Sequence, residues 1–183
     1  MIENIGPTIH NGDSIYNTGA GGGGGGGGET VEIGGKTYPV VTIGTQKWLG
    51  LNLDYAPSGV NIGGSGEIST PNAWYYSNNE PYYGFNNKKY GLLYNHAAVE
   101  FISSILPPDL KIPEKSDFDE LISYVGNNEG IKLKSPYDWN SSYGKDEFNF
   151  FALPSGVRST AGTFEYVNSA AYFWTNTRSS TNF

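Results

Sequence analysis

Cysteine is missing from all 183 residues. Its absence removes disulfides, thiolate metal sites, cysteine nucleophiles and cysteine-linked lipids. Positive charge is scarce: eleven Lys and Arg against eighteen Asp and Glu leave a net charge of −7. Nucleic-acid binding needs a basic footprint, so that class is excluded. No apolar run reaches the roughly 18 residues of a membrane span. The best run, 91–106, is interrupted by Asn95, His96 and Glu100. The first twenty residues hold Glu3 and Asp13 but no Lys, Arg or apolar core, so no secretory signal is read there. Only two histidines occur, His10 and His96, and no G-x-S-x-G elbow is found. Catalytic residues, metal ligands and cofactors are therefore all expected to be none.

What the chain does have is glycine, 26 residues, and aromatics at 15%, led by 14 tyrosines. Eight consecutive glycines run from Gly21 to Gly28. Glycine buries no side chain and loses the most entropy on ordering, so residues 19–28 read as a flexible tether. Ahead of it, residues 1–18 are too few to form a core. Their apolar groups Ile2, Ile5, Ile9, Ile15 and Tyr16 are the expected docking contacts to another protein. Residues 29–183 are read as the globular domain.

Within that domain, Val31–Ile33, Gly34-Gly35 and Lys36–Ile43 predict a hairpin with a two-glycine turn. Gly34-Gly35-Lys36-Thr37 is not a phosphate loop: the required earlier glycine is Thr30, and strand-like residues follow. A third short strand, carrying Trp48, is predicted over Lys47–Leu53. Asn95 is the predicted cap of a helix with Ala98, Phe101, Ile102 and Ile105 on one face. Ser116 is the predicted cap of a second, with Asp119 as its capping-box partner, Phe118, Leu121, Ile122 and Val125 inward, and Gly126 as the stop. Asp117, Asp119 and Glu120 are read as a dipole-complementing first turn and not as a calcium site. Short strands are expected over 148–153, 163–167 and 170–175. Two helices among many short strands give an α+β class. The eight aromatics from Trp74 to Tyr94 are read mainly as core.

One set of residues carries more. The run from Gly35 to Leu53, with Tyr38, Val41, Gly44, Gln46, Trp48 and Asn52, resembles the opening of the Fibrobacter succinogenes major paralogous domain. Tyr90-Gly91-Leu92-Leu93-Tyr94-Asn95, Pro113 with Asp117-Phe118 and Leu121, Leu153-Pro154-Ser155-Gly156-Val157-Arg158, Gly162-Thr163-Phe164 and Phe173-Trp174-Thr175 are similar to later blocks in the same order. The resemblance covers about residues 29–178. It implies a C-type-lectin-like fold, shared with formylglycine-generating enzymes and with receptor-binding proteins of some phages. The enzyme branch depends on cysteine, so its activity does not transfer. Glu80-Pro81-Tyr82 and Trp174-Thr175-Asn176 depart from the sugar-binding calcium motifs, so those ligands do not transfer either. Leu106-Pro107-Pro108 stands where the family has a cysteine-bearing block, and the closing "G-x-S-V-R" block is not found before Phe183. The expectation is a closing strand that is absent, clipped or supplied by another chain.

These readings combine into an expectation of a non-enzymatic phage virion protein, a fibre or decoration assembled in the host cytoplasm. Residues 1–18 would hold a capsid or tail protein, and the lectin-like head would meet a cell-surface glycan or protein, as a homo-oligomer. The expected ligand residues are Tyr166, Asn168, Tyr172, Trp174, Asn176 and Arg178, because lectin-like heads present their last loops. The alternatives are a bacterial glycan-binding surface module and a cytoplasmic enzyme on the same fold.

Overall fold

The computed structural model describes residues 28–63, 69–75, 90–141 and 143–178, together with the backbone of 3–4 and 9–10. Burial alternates along the stretch from Val31 to Thr42, with Ile33, Tyr38 and Val40 buried and Glu32, Thr37 and Pro39 exposed, the two-residue period of strands with one face inward. This stretch forms β3 (Thr30–Ile33) and β4 (Lys36–Ile43), antiparallel, with Gly34 and Gly35 at φ 60° and 78° in the turn. Both values lie in the left-handed region that glycine enters freely, so the predicted two-glycine hairpin is present. Gly44 turns the chain into β5 (Gln46–Leu49), which pairs with β4.

Two strands arrive from the N-terminal segment. β1 (Glu3–Asn4) pairs antiparallel with β8 (Leu93–Tyr94), and β2 (Ile9–His10) lies between β5 and β9 (Leu110–Lys111). Residues 3–4 and 9–10, Ile9 among them, are therefore strands of the domain's own sheets. Of the other predicted docking residues, Ile2, Ile5, Ile15 and Tyr16 lie outside the described residues, as does the tether up to Gly27. The five-stranded sheet runs β3-β4-β5-β2-β9. A second sheet runs β1-β8-β7-β6, with β6 (Asn61–Ile62) and β7 (Asn72–Trp74) parallel.

Three helices are present among the described residues, one more than predicted: α1 (His96–Ile105), α2 (Lys115–Val125) and α3 (Glu129–Leu133). Asn95 caps α1 as predicted, its Oδ1 accepting from the Ala98 N–H at 2.9 Å. The buried face of α1 is Ala98, Val99 and Ile102, while Phe101 is half-buried and Ile105 is exposed at the last turn. α2 starts before Ser116. Glu114 holds the cap position, and its N–H donates to the Asp117 carboxylate at 2.8 Å, the reach-back half of a capping box. A carboxylate at the third helical position can do this for Glu114, whereas Asp119 is one turn too far in and pairs with Lys115 instead. Leu121 and Val125 are buried, Phe118 is half-buried and Ile122 is exposed; Gly126 ends the helix at φ 69°. The late segments are less regular than expected. Residues 148–153 and 170–175 contribute only isolated bridges, Lys134 to Ala152 and Gly156 to Ala171, and the one late hairpin is β10 (Val157–Arg158) with β11 (Phe164–Glu165). The class is α+β.

The motif residues occupy the interior. Trp48 is fully buried, with Phe118 at 5.2 Å and Phe150 at 5.5 Å between ring centroids. Its indole N–H donates to Gln46 Oε1, and Gln46 Nε2 donates to the Asp117 carbonyl in the first turn of α2. Gln46 thus links β5 to α2 through one bond and holds the Trp48 indole through the other. Asn95 does three tasks while almost wholly buried. Besides the cap, it accepts from the Asn72 N–H and donates to the Thr70 carbonyl. Tyr94 brackets residue 55, its hydroxyl accepting from the Tyr55 N–H and donating to the Tyr55 carbonyl. Trp74, Tyr90 and Tyr94 are buried and Tyr75 half-buried, as the core reading of that stretch expects; Tyr76, Tyr82, Tyr83 and Phe85 lie outside the described residues.

Candidate functional site

The six predicted ligand residues separate into two groups according to what holds them. Tyr166 is 55% exposed and its backbone is left-handed at φ 62°. A bulky L-residue in that region is strained by about 1–2 kcal/mol, and such outliers persist only where the surroundings impose them. Gly156 makes room for this one. A Cβ on Gly156 would run into the backbone of Glu165 and Val167, so the glycine lets the 165–167 turn lie directly on the chain before β10. Tyr166 packs against the half-buried Tyr172, with ring centroids 6.2 Å apart and planes tilted by 50°.

Asn168 belongs to this turn but looks inward. Its Oδ1 accepts from the Tyr90 hydroxyl at 2.9 Å, its N–H donates to the Pro154 carbonyl, and its own carbonyl accepts from the Asn140 N–H. With φ 61°, it suits a residue type that enters the left-handed region readily. Asn168 therefore holds the turn in position. Beside the turn lies Asn140, a residue not singled out from the sequence; it is exposed and its side-chain amide donates to Ser169 Oγ. The loop that bears it also exposes Tyr137 and Tyr143. The Tyr-Asp-Trp-Asn-Ser-Ser-Tyr run 137–143 mixes rings and amides as the 166–172 run does, and this composition was the available signal.

Trp174, Asn176 and Arg178 lie against the helices. Trp174 packs half-buried on the main core, and its indole N–H donates to the Tyr94 carbonyl. Its ring is 5.9 Å from that of His96. Asn176 is exposed, with its backbone N–H on the Pro113 carbonyl. Arg178 reaches Glu100 at 3.7 Å, and Glu100 also faces His96 at 3.6 Å. Such exposed pairs add little stability. His96 is the first helical residue, as read from the sequence.

Elsewhere the chemistry is sparse among the described residues. No group of three metal-ligating side chains occurs there, and no helix there is long and apolar enough to cross a membrane. Asp117 is tied to Lys111 and Asp119 to Lys115, so both carboxylates are already paired. A groove of about 450 Å³ between the β4–β5 turn and α2 is lined by Ile43, Thr45, Gln46 and Tyr124, and its one carboxylate, Glu120, accepts from the Thr45 hydroxyl. It is built from other elements than the late loops. Burial sets the strongest electrostatic perturbations. It pushes the Tyr38 and Tyr75 phenols up to about 12, with Asp54 adding to the effect on Tyr75, and pushes Tyr94 well above its ordinary range. These tyrosines form an interior polar network around Asp54, which accepts from Tyr75 and pairs with Lys36.

The arrangement is thus an α+β domain with a closed polar interior and a late-loop surface of tyrosine rings beside amides. A family model for the Fibrobacter succinogenes major domain matches residues 41–183, most of the chain. The chain belongs to that family. No curated protein and no solved structure matches it.

Proposed function

We propose that the chain is a non-enzymatic attachment protein with a C-type-lectin-like head, which binds a cell-surface glycan or protein through its late loops. The observation that carries this reading is the Tyr166–Tyr172 pair: an exposed ring on a strained turn against a half-buried one, with Asn140 and Ser169 beside them. Flat apolar faces next to amide and hydroxyl groups match a sugar's alternation of C–H faces and hydroxyls. Trp174, His96, Glu100 and Arg178 offer a second, charged patch. Single weak sites of this kind gain by multivalency, which favours display in several copies.

Two settings suit such a head. In a phage virion, residues 1–18 would contact a capsid or tail protein. The pairing of β1 and β2 with the head's own strands favours the other setting, a glycan-binding surface module that needs no peg. Mass spectrometry of purified particles decides between them. The virion setting requires the chain in the particles and its loss when residues 1–18 are deleted. For the head itself, Tyr166→Ala is expected to lower cell or glycan-array binding at least tenfold in a protein that keeps its fold; unaltered binding would refute the assignment.

A further inference from the structure

Two strands of the five-stranded sheet, β2 and β3, come from outside the family span, and β2 is the one inserted between strands within it. β5 and β9 both lie within residues 41–183, while β2, which separates them, lies before it. Each of the two flanking strands is fixed independently of β2. β5 is held by Trp48 and Leu49 in the core, and β9 by Leu110, with Ile112 just beyond it. Their separation is two strand spacings, about 9.6 Å, too wide for direct pairing and right for one inserted strand. Packing therefore sets a slot that any suitable extended segment could fill through main-chain bonds.

The natural occupant is unusually detached from the rest of the sheet. Residues 11–29, nineteen residues with Gly21 to Gly28 among them, join His10 to Thr30. β2 and β3 lie three places apart in the sheet, roughly 14 Å laterally, whereas nineteen residues can extend to roughly 65 Å. Reach therefore does not confine the strand to its own head. We infer that the β5–β9 slot is a strand-acceptor site for a second copy of this chain, so that neighbouring heads exchange their N-terminal strands. Tethering gives the chain's own strand an effective concentration in the millimolar range. Exchange is thus favoured where heads are crowded to similar concentrations and is minor in dilute solution. It joins copies without any new surface, the low-cost route of domain swapping, and does not depend on the ligand proposed above.

The cysteine-free chain makes the test clean. His10 lies opposite Lys47 in the antiparallel register, a spacing that a disulfide can bridge. The double variant H10C/K47C, mildly oxidised when dilute, is expected to close an internal bond. Separate H10C and K47C chains, unfolded, mixed and refolded at millimolar concentration, are expected to give a disulfide-linked heterodimer joined at 10 and 47. A full-chain variant with seventeen of residues 11–29 deleted keeps two joining residues, a reach of roughly 10 Å, can no longer fill its own slot and is expected to be dimeric even when dilute. Failure of the double variant to close would overturn the seating of β2. Closure of the double variant with no heterodimer from the mixed chains, or a short-tether chain that stays monomeric, would overturn the exchange.

Discussion

The interior around Trp48 and the turn around Tyr166 handle polar groups in opposite ways. In the interior, side chains from the recurrent motifs satisfy one another. Gln46 serves Trp48 and α2, Asn95 serves three backbone groups, and Tyr94 brackets Tyr55. At the turn, a tyrosine is held exposed in a conformation that disfavours it, and the supporting bonds come from Asn168 and Gly156 beneath. The comparison teaches that the motif residues Gln46, Trp48, Tyr94 and Asn95 maintain the fold, while the proposed attachment falls mainly to the late loops.

Four substitutions and a titration can break or sharpen this contrast. Trp48→Ala should cost about 3–5 kcal/mol in denaturant unfolding, since a fully buried ring between Phe118 and Phe150 leaves a cavity. A cost below about 1 kcal/mol would show that the motif is not the structural centre. Asn95→Ala should follow at about 2 kcal/mol, because a helix cap and two loop bonds go together. Gly156→Ala should cost about 1–3 kcal/mol and weaken binding as well, as the Tyr166 turn is pushed off its support. If only stability falls, the turn does not position the ligand surface.

The titration addresses the tyrosine network. Tyr38 and Tyr75 titrate at about 12 in the folded chain against an ordinary 10, so folding favours their protonated form. Their contribution is complete below pH 10 and is lost as pH rises from 10 to about 12. Denaturation midpoints should therefore fall across that window, and Tyr38→Phe should flatten the fall. A flat profile in the parent protein would show that burial does not hold these phenols. The Arg178–Glu100 pair should give the smallest effect: Arg178→Ala should leave stability within about 0.5 kcal/mol.

How far the sequence revealed all this depended on distance along the chain. The Gly34-Gly35 turn and the Asn95 cap are local devices, and both were readable. The start of α2 was misplaced by a rival local device, because Glu114 after Pro113 gains the Asp117 reach-back before Ser116 can act as a cap. The inward role of Asn168 was hidden, since it rests on Tyr90, 78 positions away. Trp174, chosen from the sequence as a ligand residue, is half committed to the core through Tyr94. The seating of β1 and β2 was least visible of all, because two-residue strands carry no periodicity and their partners are remote.

The central claim is that the surface turn serves attachment and not folding. Tyr166→Gly separates the two roles, since glycine relieves the left-handed strain while removing the ring. Binding to cells or glycans, measured beside thermal unfolding of the same preparation, should fall at least tenfold while the unfolding temperature stays level or rises. Undiminished binding by that stable variant would contradict the account.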